Sequence, residues 1–542
     1  MTLVNEQTYY IAKPDVYLRA GPGSGAKENH LLLGDWLRYL GDTHGDWVKV
    51  RCRGDTGWLK EDQVTPTRAL EVNFVDIGQG DGCHIVTPDD DIILIDAGED
   101  DNMYRFLCWR YNLRSRNVAR APDFDPAKPA REPWKIDHVV ISHPDADHYY
   151  GLRHIFDDPK LSFGAVYHNG VVERPSETED PNLEYPDDLG GYASAGGQKY
   201  LWDVVQDTAR MQALNDAHPT TRKYYLSTIR ACLENSPAAT IMALGTRLDD
   251  LSTPRFMPSF GPGNGLSLQI LGPLREDVSH AGQTREGLRK LGNEGVTKNG
   301  HSVILRLVHG KLTMMLGGDL NTQAQDFLLQ SYTDVPALAS DLENLIDRIE
   351  AKGNTASPAE LQALQNAKTD IADIITQARG VFRCDVAKAC HHGSHHFSDT
   401  FLQCLDATAT VISSGDAESY AHPRPDALGA FGKYGRGRRP LIFSTELARS
   451  TREFTPVIKF LTTIEKYLAD IAAASSEAEK KRLTSAIEAR KDRNVAVYGM
   501  ITLRALGDQV ILAQKLEEPA GSGAKWDIHQ LVYNDKLGEF RS

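Results

Sequence analysis

The sequence predicts a mixed α/β protein headed by a small all-β barrel, and three observations carry that expectation. Residues 8 to 65 alternate short β-type runs with turn signals, strand-type runs ending in Gly, Asp or His recur from residue 71 onward, and amphipathic helical blocks interrupt them. A chain of 542 residues has room for three or four units at roughly 150 residues per domain, or for one large fold with insertions. Hydrophobic residues at 41% and charged residues at 25% are ordinary for a globular protein and exclude a disordered chain.

Charge and cysteine usage narrow the function classes. With 60 Lys+Arg against 74 Asp+Glu the net charge is −14, so the surface as a whole repels polyanions and argues against constitutive coating of nucleic acid. The cysteines (Cys52, Cys83, Cys108, Cys232, Cys384, Cys390, Cys404) are scattered without a Cys-x-x-Cys pair, the pattern of reduced thiols in a core. No run approaches the ~20 apolar residues of a membrane span. The start, MTLVNEQTYYIAKPDVYLRA, has no basic-then-apolar leader pattern. The expectation is a cytoplasmic protein with no membrane partner.

The first unit, residues 1–66, reads as five short strands drawn from YYIA, VYLRAGPG, LLLGDWLRYLG and DWVKVRCRGDTGWLKEDQV. Val16-Tyr-Leu-Arg19 with Gly21-Pro22, then Trp47-Val48-Lys49-Val50 and Gly57-Trp58-Leu59, resembles a bacterial SH3-like domain. The resemblance implies a peptide or protein ligand for the barrel, the alternative being a packing module for the rest of the chain.

The second unit, residues 67–542, opens with the runs EVNFVDIG, CHIVTP, DIILIDAG and IDHVVIS, then a helical stretch from His148. Strand patterns return at GLSLQILGP, HSVILRLVHG, KLTMMLGGD, VAKACHH, ATVISSG, PLIFSTE and VAVYGMITLRAL. That is an α/β or αββα layout in which strands deliver residues to loops at one sheet edge. Three insertions interrupt it. The block at about 171–262, rich in Pro, Gly and aromatic residues, reads as loops with short helices. The block at about 322–383 has Leu342, Leu345, Ile346 and Ile349 at i, i+3, i+4, i+7 and resumes after Ser357-Pro358, a helical hairpin. The block at about 450–494 carries Val457, Phe460, Leu461, Ile464, Leu468 and Ile471 at helical spacing, a second hairpin. These hairpins pack within the chain or form a homo-oligomer contact.

The strongest chemical signal is Ser142-His143-Pro144-Asp145-Ala146-Asp147-His148, where a buried strand ends and a helix begins. A divalent metal needs imidazole or carboxylate ligands converging from a rigid edge, and His143, Asp145, Asp147 and His148 supply both types at a spacing suited to two adjacent metals. Asp319 in Leu-Gly-Gly-Asp-Leu and His391-His392-Gly393-Ser394 follow later strand runs, and one sheet edge would gather all three sets. Asp319 either bridges two metals through separate oxygens or caps a helix. Asp76 and Asp96, at strand ends, orient ligands and loops, while Gln79 and Asp81 reach the cavity floor or rim. Gly78-Gln-Gly80-Asp-Gly82 is no dinucleotide fingerprint, because a strand follows it.

Residues from about 71 to 515 resemble the metallo-β-lactamase fold, in particular its ComEC-like branch, the hydrolase domain of DNA-uptake proteins. The motifs are Val75-Asp76-Ile77-Gly78-Gln79-Gly80-Asp81, Leu94-Ile95-Asp96-Ala97-Gly98, His143-x-Asp145-x-Asp147-His148, Gly318-Asp319, His391-His392-Gly393-Ser394 and His422-Pro423. The resemblance implies an αββα sandwich and a metal-dependent phosphodiesterase or nuclease acting on DNA, RNA or nucleotides through a metal-activated water. It implies two divalent ions, one on His143, Asp145 and Asp319, the other on Asp147, His148, Asp319 and His392, with His391 the alternative to His392. Asp145 stands where the broader superfamily usually has His. That hardens the site and favours manganese or magnesium, while the imidazoles keep zinc open. The superfamily's further His has no clear counterpart, His168 being the nearest candidate. Asp147 then orients the attacking hydroxide and His422 is the general acid, with His395 and His396 as rivals. Asp76, Gln79, Asp81, Asp96 and Ser394 support the ligands. Lys388 and Arg424 are of a type that contacts phosphate, but isolated basic residues usually lie on the surface, and both are left out of the site. The competing functions are hydrolysis of a carboxylic ester or lactone, and a non-catalytic sensor or scaffold working through the barrel.

Overall fold

Turn residues cut the first 65 positions into seven strands rather than five, hydrogen-bonded in the order Lys27–Leu32, Asp15–Arg19, Asp55–Lys60, Trp47–Cys52, Trp36–His44, Thr8–Ile11 and Val64–Thr65. The computed structural model describes residues 2–175, 188–219, 224–415, 421–446, 454–497, 499–516 and 523–542. Period-two alternation points Ile11, Val16, Leu18, Leu31, Leu37, Val50 and Leu59 into the barrel core. Leu32 and Leu33 instead join the core of the second unit. Around them buried Asp35, gripped by Arg53 with two hydrogen bonds of 2.6 Å, faces Arg504 of the second unit at 4.0 Å, and the Lys525 amide donates to His30 Nδ1 at 2.9 Å. The barrel is therefore packed onto the rest of the chain through a mixed apolar and ionic seam.

The second unit is built on two facing sheets. The ten-stranded one runs Thr240–Ala243, Leu161–His168, Trp134–Val140, Ile92–Ile95, Cys83–Val86, Leu70–Phe74, Ile501–Leu506, Gln509–Lys515, Trp526–Asn534, Glu539–Arg541. The other runs Arg255–Phe256, Leu266–Gly272, Ile304–His309, Leu312–Leu316, Val386–Lys388, Ala409–Ile412, Leu441–Ser444. Central strands such as Ile92–Ile95 are apolar at every position because both faces are covered. Ile93 and Ile95 face the inter-sheet core with Phe74, Leu305, Met314 and Val411, while Ile92 and Leu94 face an outer layer with Phe106, Ile155 and Tyr225. On the far side Ile304, Met315 and Ala387 pack against Phe327, Phe382 and Phe401. The layering is αββα.

Strand direction places the site. Ile92–Ile95, Trp134–Val140 and Leu161–His168 are parallel, as are Leu312–Leu316, Val386–Lys388 and Ala409–Ile412. Their C-terminal ends therefore open on shared edges, which carry Asp96, Ser142-His143, Gly318-Asp319, His391-His392 and Ser413.

The insertions differ from the sequence expectation at 171–262, and at the third the helix Glu477–Val497 runs past 494 into the run expected to open a strand, which starts at Ile501. The block at 171–262 holds the helices Thr208–Ala217 and Tyr224–Asn235, but also a hairpin, Tyr192–Ala195 with Gln198–Leu201, and the edge strand Thr240–Ala243. Strands of four residues with a Gly196-Gly197 turn are too short to show alternation, so they read as loop. The hairpin of Ala339–Glu350 and Pro358–Phe382 forms part of the outer layer on the second sheet. Of the other, Phe454–Ala473 and Glu477–Val497, the second helix lies along Asn102–Tyr111, and just past that helix Asp492 accepts from Arg114 at 2.9 and 3.0 Å. Residues 450–453 of that insertion lie outside the described residues. Among the described residues no helix is long and apolar enough to cross a membrane.

Candidate metal centre

Three buried imidazoles define the site, and each is held from behind. Asp96, in the left-handed region at φ 57°, ends its strand with a buried carboxylate. Its Oδ1 accepts from the Ser142 amide at 2.7 Å, and its Oδ2 lies 2.6 Å from Ser142 Oγ and 2.8 Å from His148 Nδ1. His392 Nδ1 is 3.1 Å from Asp81 Oδ1 and 3.2 Å from the Ser413 carbonyl. His143 Nδ1 is 3.0 Å from Ser142 Oγ and 3.3 Å from Ser302 Oγ. Partners on Nδ1 fix the ring orientation and turn Nε2 inward.

The inward atoms are the test of fit for a cation. Nε2 of His143, His148 and His392 and Oδ1 of Asp319 are all buried without a hydrogen-bond partner of good geometry. Each orphan of this kind costs about 1–3 kcal/mol, and a divalent cation satisfies all of them at once. Asp319 lies between two rings, Oδ1 3.3 Å from His148 Nε2 and Oδ2 3.2 Å from His392 Nε2. One ligand atom each from His143, His148 and Asp319 falls within 4.8 Å of the others, as it does for Asp147, His148 and His392, and for Asp81, Asp319 and His392. Overlapping triads that share His148, His392 and Asp319 suit metals in adjacent positions.

The remaining sequence candidates take varied places. Asp147 presents Oδ2 at 3.6 Å from His392 Nε2, and burial with the Asp145 and Asp319 carboxylates nearby pushes its carboxyl up to about 6. Asp145 is outside the convergent groups. It caps the helix Ala146–Tyr149 and pairs with Lys298 at 3.2 Å. His391 and His392 both have left-handed φ, 49° and 54°, which splays the neighbours apart. His392 goes inward, whereas His391 Nε2 stops 3.8 Å from Asp319 and its ring lines the cavity, with burial lowering it to about 4. His422 also lines the cavity, its ring centroid 6.2 Å from that of His392. Gln79 and Ser394 lie on the wall. Asp76 accepts from the Gly78 amide at 3.3 Å within its own loop. His168 is buried at a strand end away from the convergent groups, and burial lowers it to about 3.

Two residues the sequence reading left on the surface belong here. Lys388 is buried beside Asp81, and Arg424 lines the cavity, its amide donating to the Gly393 carbonyl at 2.9 Å. Ser302 and Asn299 were also missed, since each follows a residue pattern common in helix ends. The cavity above Asp319 and His392 measures about 500 Å³ and is lined by Glu99, Asp145 and Asp147 as well as by imidazoles and Arg424.

Burial opposes charge on His392, yet the Asp319 and Asp81 carboxylates outweigh it and push the ring up to about 10. The metal-free ring is therefore protonated throughout the neutral range, and a cation must displace that proton. Metal affinity should accordingly rise as pH rises below that value, by about tenfold per unit for each proton released. Chelator competition at about pH 6 and about pH 8 checks this, and a flat profile would contradict it.

Fold and site together define an αββα protein with a metal-binding edge behind an all-β barrel. Residues 83–210 match the model of the metallo-beta-lactamase superfamily, and residues 12–66 match that of the bacterial SH3 domain. The superfamily match implies a metal-dependent hydrolase. Asp319, His391, His392 and His422 lie beyond the matched span, and the fold brings them to its edge. A comparison with curated proteins found no match.

Proposed function

We propose that the protein is a dinuclear metal-dependent phosphodiesterase whose substrate is a nucleotide or a single nucleic-acid strand. The observation that carries the reading is the trio of pre-oriented imidazoles around Asp319 at the base of an open cavity that holds, among the described lining residues, Arg424 as its one guanidinium or ammonium. His143, His148 and Asp319 would hold one ion, and Asp147, His392 and Asp319 the other. The mixture of imidazole and carboxylate suits zinc or manganese, and magnesium where carboxylates dominate. Divalent ions there supply the Lewis acidity that activates water and offsets phosphoryl charge. Asp147, beside the ions, would orient the water and accept its proton. His422 hands a proton to the departing oxygen. Arg424 binds a non-bridging phosphate oxygen or the neighbouring phosphate. The surface charge of −14 favours a small substrate over a long duplex.

The test is turnover of single-stranded DNA, duplex DNA, RNA, cyclic nucleotides, a chromogenic phosphodiester and a carboxylic ester with zinc, manganese or magnesium, for wild type and Arg424→Ala. A charge-assisted hydrogen bond is worth about 1.5–3 kcal/mol, so the variant should raise KM for phosphodiesters roughly 10- to 100-fold while kcat changes little. Turnover of the ester alone would move the assignment to ester or lactone hydrolysis, and phosphodiester kinetics indifferent to Arg424 would remove that residue from the phosphate contact.

A further inference from the structure

Lys388 is a buried charge at the end of an otherwise apolar strand, Val386–Lys388. An ammonium taken out of water costs several kcal/mol unless it is paired, so its partners reveal its use. Nζ contacts Asp81 Oδ2, donates to the Gly318 carbonyl at 3.1 Å and stands 3.9 Å from Asp319 Oδ1. Asp81 belongs to the loop between Leu70–Phe74 and Cys83–Val86 on one sheet, whereas Gly318 and Asp319 follow Leu312–Leu316 on the other. Lys388 thus ties the two halves of the site together.

Asp81 has two places to go. Its Oδ1 stands 3.1 Å from His392 Nδ1, behind the ring and beside the Ser413 carbonyl that Nδ1 bonds, but without a hydrogen bond of good geometry. It also forms a convergent group with Asp319 and His392, the position of a metal ligand. A carboxylate free to choose would blur both the ligand count and the direction of the His392 ring.

We propose that Lys388 is a positioning residue that holds Asp81 behind His392 and out of the metal's coordination shell, while Asp81 in return holds the ammonium off Asp319. The inference rests on reading this site as a metal centre. Its consequence is mutual dependence. With Asp81 neutralised, the Lys388 ammonium turns to Asp319 and competes with the cation for the bridging carboxylate. With Lys388 neutralised, Asp81 swings toward the cation and adds an unwanted ligand. With both neutralised, neither competitor remains, and the Ser413 carbonyl still receives His392 Nδ1.

The experiment is a double-mutant cycle in the full chain with Asp81→Asn, Lys388→Met and the pair. Zinc affinity is read by chelator competition, the ligand set by cobalt absorption, and folding by thermal melting. Disturbing the groups that orient metal ligands typically costs 10- to 100-fold in affinity, which is expected for each single variant, with a changed cobalt spectrum for Lys388→Met. The double variant should bind zinc at least tenfold more tightly than Asp81→Asn, a suppression that independent contributions cannot produce. Additive losses, with the double no tighter than Asp81→Asn, would overturn the inference while leaving the metal centre intact. A folded wild type that binds no metal would overturn both. Should Lys388→Met fail to fold, Lys388→Gln runs the same cycle.

Discussion

Replacing Asp319 with alanine is expected to remove metal binding and to lower metal-dependent hydrolysis by about a thousandfold or more. Its two oxygens address different rings, Oδ1 toward His148 and Oδ2 toward His392, at 3.3 and 3.2 Å. Asp147 addresses the same two rings from farther away, at 3.9 and 3.6 Å, so Asp319 is the nearer of two carboxylates between them. The carboxylate also sets the charge of the site: it is the largest favourable influence raising both His148 and His392, and those rings in turn hold it ionised well below the usual carboxylate range. Charge stabilisation by bound cations supplies several kcal/mol, and each 1.36 kcal/mol is tenfold in rate, so losing both ions crosses about three decades. Asp319→Asn separates charge from shape, since the amide keeps the volume but cannot bridge two cations as an anion. Metal content after dialysis, turnover of a chromogenic phosphodiester and a thermal melt form the check. Full activity in folded Asp319→Ala would remove this residue from the centre.

The gross layout was legible because burial leaves a simple signature. Runs such as Ile92–Ile95, apolar at every position, announce strands covered on both faces, and the residues just past such runs had to emerge at sheet edges. What the sequence cannot show is which way a side chain turns once it arrives. His391 and His392 are equivalent on paper, and two consecutive left-handed residues turn their rings in different directions. Asp145 reads as a ligand by spacing, but its carboxylate meets Lys298, which also pairs with buried Glu173 at 2.7 Å. That ammonium belongs to the helix Glu294–Gly300, and no local pattern links it to the motif. Lys388 reads as an isolated surface cation in sequence because its partner Asp81 comes from the opposite sheet. One signal was present all the same: a lysine inside Asp-Val-Ala-Lys-Ala-Cys interrupts a buried run, and a charge in that position demands a partner. The hairpin Tyr192–Ala195 with Gln198–Leu201 escaped because four-residue strands are stabilised by pairing to a distant strand, Gln283–Arg289, rather than by their own pattern.

A single added methyl should do nearly as much damage as removing a ligand. In Gly80→Ala the new Cβ would lie 1.6 Å from the Asp147 carbonyl oxygen and 2.6 Å from its carbonyl carbon, at a backbone φ of 99° that side chains rarely adopt. Neither partner can yield cheaply. The Asp81 amide donates to that same Asp147 carbonyl at 3.3 Å, and the Gly80 carbonyl accepts from Ser413 Oγ at 3.0 Å. Gly80 is therefore the point where the 75–82 loop, the metal-motif helix and the end of strand Ala409–Ile412 are pressed together. Relieving the overlap requires a shift of about 1 Å or more, which moves Asp147 relative to His392 and Asp81 relative to the Nδ1 it orients. Misplacement on that scale costs on the order of a hundredfold in rate, and the strained backbone adds about 1–3 kcal/mol of instability. Gly54 is the control: its φ is 89°, nothing lies within 4 Å of an added Cβ, and it sits in the barrel. Gly54→Ala should lose stability of the same order through backbone strain alone and keep wild-type kcat and metal content. Measured side by side, both variants melt lower, Gly80→Ala the more by the cost of its overlap, but only Gly80→Ala loses turnover and metal content. Equal turnover in both would mean that the close approach at Gly80 plays no part in holding Asp147 and Asp81 at the metal centre.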